Sequence, residues 1–240
     1  MIAFIFKVDS SSFYKTVLRI STMNKDAATI AGQAVYTKKV LSIYDLWVLG
    51  FSNRYLWKCS TALIGEKFTE LASKNHLDVG VGTGYYLKNH LSNVERRVAL
   101  IDLNENSLES TANAIQHFNP EVYRRNVLEP LDLKCEKFDS ISINYLLHCL
   151  PGELSQKGVV FSNLNELLNS NGVLFGSTIL GQGVTKNAFA SKLMNFYNQK
   201  GIFTNENDDV QSLEIALKAH FSDVNIDVVG CVALFSGRKK

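Results

Sequence analysis

The sequence predicts an α/β fold: a single domain with a seven-stranded, mostly parallel sheet, helices on both faces and a reversed last strand. Three observations predict it. Strand-like and helix-like segments alternate with short links from His76 onward, the pattern of parallel strands joined by crossover helices. A 240-residue chain that is 46% hydrophobic and 20% charged holds enough apolar material for one sizeable core. The last two strand-like runs, Val224–Val229 and Val232–Phe235, are separated only by Gly230 and Cys231, too short a link for a crossover, so they must run antiparallel.

Taken in order, the region from Ala27 to Ala72 lacks proline and carries apolar residues at helical intervals, with Val40, Ile43, Leu46 and Trp47 on one stripe. Two or three helices are expected there, ahead of the sheet. Strands are expected at His76–Val79, Val98–Ile101, Glu121–Arg124 (the weakest), Phe138–Ile143 and Val173–Ile179. Between them, helices are expected at Tyr85–Leu91, at Glu105–Phe118 with Leu108, Ala112, Ile115 and Phe118 on one face, and at Gln156–Leu168 with Gly172 as terminator. A helix from about Lys186 to Gln199 closes at Gly201, and another carries Val210, Leu213, Leu217 and Phe221 behind a capping box of Asp208 and Gln211.

Charge and composition exclude several functions. A formal net charge of +2, with Lys and Arg clustered only at Gly237–Lys240, indicates neither nucleic acid nor membrane as a partner. Cys59, Cys135, Cys149 and Cys231 form no C-x-x-C pair, so no zinc site or disulfide framework is indicated and a cytoplasmic location with reduced thiols is expected. Met1–Phe6 is too short for a signal-peptide core, and no apolar run approaches a membrane span of roughly 20 residues. Residues 1–22 are read as a disordered extension or a misassigned start, without a fold role. Residues 23–240 are the domain, divided into a helical lid (24–72) and a core (73–240).

The chemistry is concentrated in His76-Leu-Asp78-Val-Gly80-Val-Gly82-Thr83-Gly84-Tyr-Tyr86, an apolar strand running into three alternate glycines, followed by Val98-Ala-Leu-Ile-Asp102-Leu103-Asn104. Alternate glycines suit a backbone that turns sharply and approaches a ligand closely, and Asp102 falls where a second parallel strand ends. That is a nucleoside-binding unit. A dinucleotide fingerprint is disfavoured, because Tyr85 stands where the last glycine of G-x-G-x-x-G belongs. Asp102 admits a second reading as a helix cap, which Asn104 could also supply.

Asp78-Val-Gly-Val-Gly-Thr-Gly84 resembles motif I of the class I S-adenosylmethionine (SAM)-dependent methyltransferases, and Asp102 resembles their ribose-binding acid. The antiparallel ending is a second resemblance, and the match spans about residues 70 to 236. It implies a Rossmann-like fold, SAM as cofactor, and a small-molecule acceptor, aromatic or hydrophobic, methylated on oxygen or nitrogen, with a homodimer left open; the alternatives are a protein methyltransferase or a SAM-binding pseudoenzyme or scaffold module, since the motif reports binding and not turnover. It also implies cofactor contacts at Asp78, Gly80, Gly82, Thr83, Gly84, Asp102 and Leu103, and at the adenine end from Asn126 and Val127. Where the family commonly has an acid after the third strand, this chain has Asn126, which can accept from and donate to the ring, or can be a surface-loop asparagine.

The fourth strand ends in Asn144-Tyr145-Leu-Leu-His148-Cys-Leu-Pro151, and the carboxyl edge of such a sheet is where ligands collect. Asn144 and Tyr145 are expected to touch the cofactor. His148 is either a general base for a hydroxyl acceptor or a histidine that hydrogen-bonds backbone beside the cofactor. The stretch lacks the Asn-Pro-Pro-Tyr of adenine and glutamine methylating enzymes and the Pro-Cys of cytosine-5 enzymes, and no carboxylate cluster suggests a metal. Tyr36, Tyr44 and Trp47 are the expected lid and substrate contacts.

Overall fold

The computed structural model describes residues 45–240. The expected extension at 1–22 and the lid residues Tyr36 and Tyr44 lie outside the described residues, as does the side chain of Trp47. A π-helical segment, Asp45–Leu56, leads to α1 (Thr61–Leu71), whose cap Ser60 accepts from the Leu63 amide at 3.2 Å. Then follow β1 (Asn75–Val79), α2 (Tyr85–His90), β2 (Arg97–Asp102), α3 (Glu105–Ala114), β3 (Glu121–Arg124) and β4 (Phe138–Asn144). The rest is α4 (Leu154–Lys157), α5 (Val159–Glu166), β5 (Leu168–Ile179), α6 (Ala188–Gln199), α7 (Val210–Lys218), β6 (Phe221–Val229) and β7 (Val232–Lys239).

The seven strands are ordered β3-β2-β1-β4-β5-β7-β6, with β7 antiparallel to both neighbours and every other pairing parallel. Alternation along the strands builds two apolar faces. Leu77, Val79, Ile141 and Ile143 pack with Val160, Phe161 and Leu164 of α5 and Leu213 and Leu217 of α7. On the other face Val98, Leu100 and Phe175 meet Phe68 of α1, Leu87 of α2 and Leu108 of α3. A third cluster, with Trp57, Ile179, Met194, Phe203 and Val232, closes the carboxyl end of β5. Each such fully buried side chain contributes about 1.5–3 kcal/mol, so the sheet is fixed from both sides.

Three local expectations are corrected. The helix expected at Gln156–Leu168 breaks at Gly158 into α4 and α5, because a Cβ there would sit 2.6 Å from the Leu154 carbonyl and 3.2 Å from Ala216 of α7. Gly172 does not end that helix. Leu168 already pairs with Phe138 in the sheet, and Asn169–Gly172 form an irregularity in which Asn171 takes φ 61°. The cap of α7 is Asp209, which accepts from the Ser212 amide at 2.7 Å, while Asp208 is drawn inward to Lys157.

Candidate active site

The glycine loop leaves the end of β1 with Gly80, Gly82 and Gly84 all at positive φ. At Gly84 a Cβ would lie 2.8 Å from Thr111 of α3, so close helix packing demands the glycine. At Gly82, φ +54°, no atom lies within 4 Å of where a Cβ would be, so conformation alone demands it and the space before it stays open. The loop is tied down by Gly80 N donating to the Ile101 carbonyl at 2.8 Å and Gly84 N donating to the Val81 carbonyl at 2.8 Å.

Asp102, at the end of β2, spans from its own strand to the loop: Oδ1 accepts from Asn104 N at 2.8 Å and Oδ2 from Gly82 N at 3.5 Å. Burial pushes its carboxyl above the ordinary range, and these amide donors oppose that. Asn104 is the residue that caps α3, accepting from Asn106 and Ser107 amides, so the helix-cap reading is not needed for Asp102. Asp78 is 7% exposed and accepts from the Ser142 hydroxyl. Burial pushes its carboxyl to about 7, against the Ser142 hydrogen bond and with the neighbouring Asp102 charge.

The remaining expected cofactor residues gather along the same carboxyl edge. Asn126 forms a turn in which Oδ1 accepts from Leu128 N at 3.1 Å and Nδ2 donates to Glu129 at 3.0 Å, leaving one lone pair and one N–H over. Val127 is buried beside it, and the Leu103 carbonyl accepts from Arg124 at 3.2 Å. Thr83 sits between Gly82 and Gly84, half-buried. Asn144 Oδ1 accepts from Ser177 at 2.9 Å, and Tyr145 follows at φ 54°, its amide donating to the Ser177 carbonyl at 2.8 Å. A tyrosine in the left-handed region marks strain held by the surrounding structure at the point where β4 leaves the sheet.

His148 lies on a 3-10 turn, Leu147–Cys149, and is 3% exposed. Its Nδ1 accepts from Ile179 N at 3.3 Å, which puts the proton of the neutral ring on Nε2. Burial, with the nearby Lys157 charge, pushes its pKa down to about 3. The ring is 4.5 Å from Phe203 and 5.6 Å from Tyr145, both edge-on. Tyr197 stands 4.8 Å and Trp57 6.1 Å from Phe203. Burial also pushes the Cys149 thiol up to about 12, away from nucleophilic use.

Sequence reasoning missed the pair that ties segment 203–208 to α4. Lys157 and Asp208 meet at 2.6 Å with side chains 0% and 1% exposed, and Lys157 also donates to the Thr204 carbonyl at 3.0 Å. Burial works against both charges, and each charge offsets the other's penalty. The Asp208 carbonyl accepts from Gly181 and Gln182 amides, and Thr204 N donates to the His148 carbonyl at 2.8 Å, so segment 203–208 is strapped over the end of β5. A lysine on a four-residue helix reads as a surface charge, and no spacing signals its partner. Among the described residues no cluster of His, Cys, Asp or Glu forms a metal site.

Comparison with known proteins agrees with this geometry. Residues 77–174 match the family described as a methyltransferase domain. The chain is 40% identical over 219 residues to a protein of Aspergillus chevalieri named physcion biosynthesis cluster O-methyltransferase, covering 90% of this chain and 99% of that one. It is 37% identical over 211 residues to the demethylluteothin O-methyltransferase of Streptomyces thioluteus, covering 88% and 92%. Among solved structures, the N-methyltransferase NodS of Bradyrhizobium japonicum in complex with S-adenosyl-l-homocysteine shares the fold at TM-score 0.60 and 13% identity, covering 84% of this chain and 95% of that one. With the glycine loop, the sheet order and relatives of this identity over nearly their whole length in agreement, the chain belongs to the class I SAM-dependent methyltransferases.

Proposed function

We propose that this enzyme methylates a hydroxyl oxygen of a small, apolar, ring-bearing acceptor. The observation that carries the reading is the aromatic cluster at the same sheet edge as the glycine loop, in which Tyr145 and Phe203 pack on His148, and Trp57 and Tyr197 pack on Phe203. The two relatives named O-methyltransferases support oxygen as the atom.

The residues fit the donor. The open face of Gly82 beside the Asp102 carboxylate suits a ribose diol, which needs an acceptor for each hydroxyl and close backbone approach. Asp78 receives the amino group, with Thr83, Asn144 and Tyr145 around the amino-acid tail. Leu103 and Val127 flank the adenine, while the spare donor and acceptor of Asn126 meet its edge. SAM supplies a methyl carbon already activated by its sulfonium, so this chain has to orient the acceptor oxygen and exclude water. His148 orients rather than abstracts: with Nδ1 committed to Ile179 N, its ring braces the Tyr145–Cys149 turn against β5 and the Phe203 segment. Tyr36, Tyr44 and Trp47 are the lid contacts of this reading. The four unpaired thiols fit a reducing, cytoplasmic location, and no described helix is long and apolar enough to cross a membrane.

The test is incubation with methyl-labelled SAM and a panel of phenolic, enolic, amine and carbon acceptors, with the label located in the products. Label on oxygen is expected. Label found only on nitrogen or carbon would overturn the oxygen reading, and absence of SAM binding in calorimetry would overturn the site itself.

A further inference from the structure

Beneath the glycine loop lies a polar array that the methyl-transfer reading does not use. β1 and β4 pair in parallel with His76 opposite Ser140 and Asp78 opposite Ser142. Strand alternation puts all four on the face that carries Phe68 and Phe175, and none is more than 7% exposed. Buried polar groups on an otherwise apolar face are retained only where every one is satisfied.

With Asp78 ionised they satisfy one another in a single direction. Ser73 N, which can only donate, gives its hydrogen to Ser140 Oγ at 2.8 Å. In that state Ser140 gives its hydrogen to His76 Nδ1 at 2.7 Å rather than to Ser73 Oγ at 2.9 Å, which leaves the imidazole proton on Nε2, 3.0 Å from Ser142 Oγ. Ser142 accepts that proton's hydrogen bond and donates to Asp78 Oδ1. The chain then ends on a carboxylate oxygen, an acceptor; protonation of Asp78 reverses it, with Asp78 donating to Ser142, His76 Nδ1 to Ser140 and Ser140 to Ser73 Oγ, so the direction of the whole array reports the charge of Asp78.

We propose that His76, acting through Ser142, is a positioning residue that holds Asp78 as the carboxylate that receives the ammonium of the methyl donor. The inference rests on the reading of Asp78 as the amino-group partner. The charges that face the array are few. Arg96, from the turn before β2, donates to the Ser73 carbonyl at 3.2 Å and, second to burial, keeps the imidazole neutral, its pKa pushed down to about 3. Asp102, at the end of the neighbouring β2, works with burial to push Asp78 up to about 7, against the Ser142 donor. The elements packed over the array, α1, α2 and β5, contribute the rings of Phe68, Tyr86 and Phe175. Phe68 lies edge-on to His76 at 5.3 Å and Phe175 stacks on it at 5.9 Å, which fixes the imidazole plane.

The experiment compares two ligands by calorimetry across pH: S-adenosylhomocysteine, which carries the amino-acid tail, and 5′-methylthioadenosine, which has the same nucleoside without it. In the wild type, affinity for S-adenosylhomocysteine should rise with pH through about 7 as Asp78 ionises, while 5′-methylthioadenosine stays flat. His76→Phe keeps a ring between Phe68 and Phe175 but removes the donor. It should weaken S-adenosylhomocysteine about three- to tenfold near pH 6 and little above about pH 8, with 5′-methylthioadenosine unaffected. His76→Gln, which restores an N–H in the Nε2 position, should recover most of the loss. Ser142→Ala should shift the profile the same way, and carries the test if His76→Phe folds poorly. A superimposable pH profile in both His76→Phe and Ser142→Ala overturns the relay, as does an equal loss for both ligands at every pH. Asp78→Asn separates the two layers. If it leaves the ratio of the two affinities unchanged, the amino-group reading falls and the relay's purpose with it. If it collapses that ratio while His76→Phe does not, the relay alone falls.

Discussion

The donor side of the proposed site comes from one stretch of chain, Asp78 to Asp102, held mostly by backbone: Gly80 to Ile101, Gly84 to Val81, Asp102 to Gly82 and Asn104. The proposed acceptor side is gathered from residues as distant as Trp57, His148, Lys157 and Phe203, and is held by ring contacts, a buried ion pair and backbone bonds between distant segments such as Thr204 to His148. The donor is one fixed molecule, which a short and rigid backbone cradle can suit. The acceptor wall is a shape made by tertiary packing, so it can be altered without touching the cradle. The comparison therefore predicts that damage on one side spares the other.

The largest effect is expected at the acceptor wall. Lys157→Met leaves Asp208 charged and buried with no partner, and should cost about 3–5 kcal/mol of stability in urea unfolding. Adding Asp208→Leu should regain most of it, because the uncompensated charge is what destabilises. If the single substitution is tolerated, the wall does not hang on this pair and the comparison breaks.

Asp102→Asn is the next in size and sharpens the donor half. SAM affinity should fall at least tenfold, since charged hydrogen bonds are worth about 1.5–3 kcal/mol each. Stability should change little. Burial raises the carboxyl's pKa in the folded protein, so the unfolded chain ionises first and stability is lost as pH rises from the ordinary carboxylate range through the folded value. Asparagine is free of that loss and keeps the shorter of the two amide bonds, giving up only the 3.5 Å contact to Gly82 N, so at neutral pH the variant should stay within about 1 kcal/mol of the wild type. Retained affinity with reduced stability would make Asp102 a structural residue only.

The smallest effect concerns His148. Because its ring stays neutral down to about 3, it should add no inflection to the turnover profile between about pH 5 and 8. His148→Gln should raise the acceptor KM, leave SAM affinity intact and change kcat less than about tenfold. A drop of about 10²–10⁴ with loss of a pH limb would make it a general base and overturn its positioning role.

The same contrast explains what the sequence made legible. The glycine cradle, Asp102, the Asn104 cap, the Glu121–Arg124 strand and the reversed ending all rest on short-range spacing, and each stands where spacing puts it. The break at Gly158, the strand entered already at Leu168, and the exchange of roles between Asp208 and Asp209 depend on contacts across the chain that no local pattern encodes. The polar alternation His76/Asp78 and Ser140/Ser142 is visible in the sequence as a period of two. Its meaning is not, because it arises only from the β1–β4 register. Tyr36 and Tyr44 are outside the described residues, so the lid stands as proposed from the sequence.

The position of β7 also bears on how the protein is made. It leaves the ribosome after β6, yet it belongs between β5 and β6, and Lys239 reaches across to the Asn165 and Leu168 carbonyls. Until β7 is inserted, β5 therefore presents a bare edge and β6 has no partner in the sheet. Before that insertion the sheet has an open flank, and an open flank is where chaperone capture or strand exchange with another copy competes with completion.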